Sequence, residues 1–158
     1  MWFFMISCYL LSLITFLMLF VALFQSFENF AVFMASPVTF MILTSIVYLF
    51  TETLVIFFFV GTGVSIKEYT QKQNLSLEFQ KASFKIKMSV YPPLLLNMLF
   101  MITLFILIGA VDTKRMAPWI YHLYFIFCIG HFCYAKKIQH QNFKDMTQNI
   151  LSMSGIKS

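Results

Sequence analysis

The sequence predicts an all-α, polytopic membrane protein with four transmembrane helices, both termini cytoplasmic and an amphipathic C-terminal tail. Three observations predict it. Trp2 to Phe24, Val38 to Val60, Pro92 to Val111 and Pro118 to Ala135 each reach the length, about 18 apolar residues, that crosses roughly 30 Å of hydrocarbon as a helix. The chain is 60% hydrophobic and 11% charged, against roughly 25% charged in a soluble domain, so its 158 residues form one membrane domain. Its lysines are distributed unevenly between the connectors. Lys67, Lys72, Lys81, Lys85 and Lys87 separate the second and third stretches, and Lys136, Lys137, Lys144 and Lys157 follow the fourth, whereas Lys114 and Arg115 alone fall on the other side. Lys and Arg accumulate on the cytoplasmic side, or the matrix side of a mitochondrial membrane. The net charge of +5 is therefore read as a topology signal, and no nucleic-acid partner is expected because no soluble basic patch carries stacking aromatics.

The first stretch is expected to remain as helix one. Met1, Trp2, Phe3 and Phe4 offer no basic start of a secretion signal, and the apolar run continues to Phe24, past the roughly 7–15 residues of a signal's apolar region. Ser36 before Pro37 supplies an N-cap oxygen and a proline at the first helical position, so helix two should start there. Gly61, Thr62 and Gly63 permit a break or a close helix contact at its inner end. The inner loop, 67–90, has an ambiguous period: Leu75, Phe79, Ala82 and Ile86 fall at helical spacing, but Phe84, Ile86 and Met88 alternate like a strand. A basic segment lying along the membrane surface is the plainer reading.

Pro92 and Pro93 should open helix three from the inner side, and Pro118 helix four from the outer side. Trp119 and Tyr121 suit an interfacial aromatic belt, and Tyr134, Lys136 and Lys137 mark the inner end. In the tail, 136–158, Phe143, Met146, Ile150 and Met153 fall on one helical face that lipid or a partner should cover. The connectors 25–36 and 112–117 are too short for a folded domain. Cys8, Cys128 and Cys133 lie within apolar stretches and are expected to be buried thiols.

Glu52 is the one carboxylate inside these stretches. At 1.5 Å per residue it lies about 12 Å below the inner end of helix two, too deep for a short side chain to snorkel. His131 lies about 8–9 Å from the inner end of helix four and Asn97 about 7–8 Å from the start of helix three. Ser7, Tyr9 and Ser12 fall in the same inner third. All four helices thus offer polar groups to one layer, with Thr51 and Thr53 flanking the acid. An acid at mid-membrane costs about 2.5–3.5 kcal/mol and is usually paired or functional. The expected pair is Glu52 with His131. Three readings stay open: a helix-tying hydrogen bond, a contact with another subunit, or a proton or ion path.

No zinc spacing, phosphate-cradling glycine loop or nucleophile triad is present, and no enzyme activity, cofactor or metal is predicted. His122 and His131 share helix four, nine residues apart and about half a turn out of phase. A haem would need a partner to place a ligand opposite His131 or His122.

The segment Phe57 to Glu68, FFFVGTGVSIKE, resembles the end of helix two in small uncharacterised bacterial four-helix membrane proteins. The resemblance covers about a dozen residues well, and otherwise only helix order and the amphipathic tail. A histidine is common near the position of Glu52 in that pattern, and this chain departs from it. The resemblance implies the four-helix fold and a bacterial origin, and brings no activity with it.

The chain is therefore expected to be a non-catalytic subunit packed within a larger membrane protein complex, of respiratory or other energy-transducing type. The alternatives are a proton or ion pathway using Glu52, as a homo-oligomer or alone, and a haem-binding anchor. Its partners are the lipid bilayer and other membrane subunits. The bacterial inner membrane is the expected location, with the mitochondrial inner membrane as the alternative.

Overall fold

The computed structural model of the protein describes residues 2–28, 30–32 and 34–155. Lys157, counted above with the cytoplasmic lysines, lies outside them. Four helices follow one another: α1 (Trp2–Glu28), α2 (Pro37–Lys72), α3 (Glu78–Asp112) and α4 (Pro118–Met153). Each packs on its neighbour in sequence, and α1 closes the ring more weakly against α4. This is an up-and-down bundle, as short connections between helices dictate. α1, α2 and α3 are long and apolar enough to cross a membrane. α4 is not among them, because Tyr121, His122, Tyr124, His131 and Tyr134 dilute its apolar half.

Local chemistry sets most of the boundaries. Ser36 is extended, its Oγ accepts the Thr39 N–H at 3.2 Å, and Pro37 follows at the first helical position. α2, α3 and α4 are each followed by a left-handed residue, at Asn74, Lys114 and Gly155. Arg115 N–H reaches the Ala110 carbonyl and Lys114 N–H the Val111 carbonyl, the paired bonds that close a helix C-terminus.

Three sequence expectations change. First, α3 does not begin at Pro92 and Pro93 but at Glu78, and runs unbroken through both prolines. Phe79, Ser83, Ile86, Val90, Leu94, Asn97, Met101, Leu104 and Ile108 recur at intervals of three and four, so one stripe, buried except at half-buried Phe79 and Ile86, passes the prolines in phase. Val90 and Leu94, both fully buried, hold the helix across the two missing N–H groups. The 67–90 segment is therefore part of the bundle and not a surface strip. Second, α2 does not break at Gly61 to Gly63 but continues to Lys72. Third, the tail is the continuation of α4, and the chain itself covers its apolar face at Phe143 and Met146 and in part at Ile150 and Met153. The Phe143 ring stacks on Phe59 at 5.1 Å and meets Phe58 edge-on at 4.8 Å, Met146 is buried, and Ile150 and Met153 pack alongside.

α1 has 27 residues, and the other helices have 35 or 36. It stops where Phe4 stacks on Phe58. Beyond that level α2, α3 and α4 continue as a three-helix extension of about 12 residues, close to 18 Å, measured along α2 from Gly61. The core accordingly has two parts. One lies in the four-helix half around Leu19, Tyr48, Leu104, Phe125 and Phe132, and the other lies nearer the extension around Cys8, Val55, Phe59, Leu94 and Phe143.

Candidate functional site: a polar layer between two apolar cores

Where the two cores meet, side chains from α2, α3 and α4 converge on Glu52, which is fully buried. Lys136 Nζ donates to Glu52 Oε2 at 3.0 Å, and Asn97 Nδ2 donates to Oε1 at 3.1 Å. Lys136 also donates to Gln139 Oε1 at 2.9 Å and lies 4.9 Å from the centre of the Phe132 ring. With its NH₂ committed to the carboxylate, Asn97 turns its Oδ1 toward His131 Nδ1. An amide oxygen only accepts, so this network assigns the imidazole proton to Nδ1. The result is a continuous chain His131–Asn97–Glu52–Lys136–Gln139, with the buried charges balanced one to one.

The expected Glu52–His131 contact is thus indirect. Asn97 stands between the two, and the ion-pair partner is Lys136. The cause is side-chain direction. Helical side chains point back toward the N-terminus, so a lysine at the far end of the apolar part of α4 can fold inward by more than a turn. In the sequence Lys136 reads only as a marker of the inner end of helix four. Gln139, almost wholly buried one turn further on, was missed with it. A long cation within reach of a deep acid was the available signal.

The flanking threonines do not join this chain. Thr51 Oγ1 lies 2.8 Å from the Val47 carbonyl and 2.9 Å from Thr15 Oγ1, and so ties α2 to α1 beside the acid. Thr53 is half-buried and has no side-chain hydrogen bond among the described residues. The contribution of α1 is Thr15 and not the expected trio. Ser7 is half-buried and bonds the Phe3 carbonyl, Tyr9 bonds His140 Nδ1 at 2.7 Å, and Ser12 Oγ has no partner among the described residues.

His122 is held apart from this layer. Its Nε2 lies 2.7 Å from Ser26 Oγ and its ring stacks on Phe27 at 4.1 Å. Among the described residues no three His, Cys, Asp or Glu side chains gather as metal ligands. Cys8 and Cys128 are buried as expected, whereas Cys133 is exposed. A groove of about 570 Å³ runs along α2 from Phe57 to Tyr69 beneath Phe4, clear of every residue of the polar layer.

No family model, no curated protein and no solved structure matches this chain.

Proposed function

We propose that this chain is a non-catalytic integral-membrane subunit that packs within a larger membrane protein complex of the bacterial inner membrane. One observation carries the reading: the deep acid is neutralised and hydrogen-bonded within its own chain, between two closed apolar cores. Such a layer ties helices together and leaves no free carboxylate to handle cargo. In this reading α4 also crosses the membrane. It supports this by packing Tyr121, Phe125 and Phe132 into the core while turning Leu123, Ile126 and Phe127 outward. The lysine distribution then puts both termini and the three-helix extension in the cytoplasm. The outer face of α1, with Leu10, Leu13, Leu17, Phe20 and Phe24 exposed, is an apolar surface open to a neighbouring subunit.

The test is the native mass of the tagged chain after gentle extraction, with co-purifying proteins identified. An assembly containing other chains supports the proposal, and a particle of this chain alone refutes it. A second reading rests on the continuity of His131, Asn97, Glu52 and Lys136, which links a half-exposed imidazole to the inner end of the apolar part of α4. Proton flux into proteoliposomes that Glu52→Gln abolishes would favour that reading.

A further inference from the structure

A cleft of about 410 Å³ lies between α2 and α3 near the base of the three-helix extension, well away from Glu52. Gly63 and Lys67 of α2 and Gln80, Lys81, Ser83 and Lys87 of α3 line it. The single ion pair among the described residues is that of Lys136 with Glu52, so the three ammonium groups around this cleft have no acidic partner there, Glu68 and Glu78 included. Gly63 gives one of them its place. A Cβ at that position would stand 3.1 Å from Lys87 Nζ and 3.2 Å from its Cδ and Cε, so the lysine lies against bare backbone.

Two further donors point to a ligand. Ser83 is 2% exposed, and its hydroxyl has no partner among the described residues; nor does Gln80 Nε2. A helical serine ordinarily bonds the carbonyl four residues back. Here that carbonyl, Phe79 O, already accepts Asn149 Nδ2 at 3.1 Å in addition to its helical bond. Three cations, an unpaired hydroxyl and an unpaired amide nitrogen around one cleft match an anion with several acceptor oxygens, as a phosphate has.

The depth and the surroundings identify the source. Gly63 lies about 4–5 Å past Val60, and Lys87 about 7–8 Å before Pro92. Both fall in the headgroup layer, roughly 5–8 Å thick on each side of the hydrocarbon. On α3, Phe84 lines the same cleft, and with Met88, Leu95 and Leu99 it forms an exposed apolar ridge leading from the cleft along the apolar part of the helix. Acyl chains can follow that ridge while the phosphate sits among the lysines. We infer that the cleft between α2 and α3 binds the phosphate of an anionic phospholipid headgroup, through Lys67, Lys81 and Lys87 with Ser83 and Gln80.

The full-length chain, delipidated in a neutral detergent, is titrated with dioctanoyl phosphatidylglycerol, dioctanoyl phosphatidylcholine and inorganic phosphate, and adducts are counted by native mass spectrometry. One phosphatidylglycerol per chain, bound more tightly than phosphatidylcholine or phosphate, is expected. Lys67→Gln and Lys87→Gln should each weaken it by roughly five-fold, and together by roughly thirty-fold. Gly63→Val, which displaces the Lys87 ammonium, should weaken it as well. Lys144→Gln, on an exposed position of α4, should leave it unchanged. Equal binding of the two lipids, or unchanged affinity in the double lysine variant with its thermal unfolding intact, overturns the site. Inorganic phosphate bound as tightly as the lipid, and lost in the same variants, overturns the lipid as its source.

Discussion

Lys136→Met should destabilise the bundle more than Glu52→Gln, and the two together should cost less than their sum. Glu52 has no exposure, and the Lys136 side chain retains 16%. Removing the lysine leaves the carboxylate with Asn97 as its one donor among the described residues, at 3.1 Å, in a site it cannot leave. Stranding one member of a buried pair costs about 3–5 kcal/mol. Removing the acid strands the lysine less severely, because it keeps Gln139 and the Phe132 ring and can swing toward the surface. We expect about 1–2 kcal/mol for that change, close to the loss of one charge-assisted hydrogen bond. The double variant Glu52→Gln/Lys136→Met contains no buried charge and should fall within about 1–2 kcal/mol of the natural chain, giving a coupling energy of about 4 kcal/mol. The assay is reversible unfolding in mixed micelles, followed by circular dichroism, on all four proteins. Additive losses, or a Glu52→Gln loss as large as that of Lys136→Met, would refute the pairing.

Asn97→Asp sets a second carboxylate against Glu52 in place of the donor, and should cost about 3 kcal/mol, more than Asn97→Ala, in the same unfolding assay. Phe143→Ala removes the ring that joins Phe58 and Phe59 to α4. It should cost about 3–5 kcal/mol and expose the three-helix extension to limited proteolysis. Lys114 has a φ of 57° at the end of α3, so Lys114→Gly should stabilise by about 1 kcal/mol, read as a rise in Tm. A membrane-permeant maleimide should label Cys133 in the folded protein and reach Cys8 and Cys128 only after denaturation, as mass spectrometry of labelled peptides would show.

The helical class was legible because apolar length is a property of the sequence alone, and Ser36–Pro37 and Pro118 carry their boundaries in local chemistry. Pro92–Pro93 misled for the same reason. Locally a proline pair is a good helix start, and only packing of the stripe from Phe79 to Ile108 against α2 and α4 overrides it. Gly61 and Gly63 likewise suggested a break, yet Gly63 makes room for a lysine from another helix. Glu52, Asn97 and His131 could be grouped from depth, because rise per residue is fixed. The order of contact could not, since it depends on rotation about each helix axis and on which way a long lysine folds.

Apolar helices slide and turn against one another at little cost, because one leucine contact resembles the next. The Glu52 layer removes that freedom. A slip of α4 by one turn, about 5.4 Å, would carry Lys136 past its acid, and an insertion of one residue between Pro37 and Glu52 would rotate the carboxylate by about 100° out of the core. Three polar side chains on three helices therefore act as an alignment mark for the whole bundle, with Thr15 and Thr51 indexing α1 to it. The surrounding phenylalanines, leucines and methionines are then free to exchange with one another, provided the chain keeps its count from that mark.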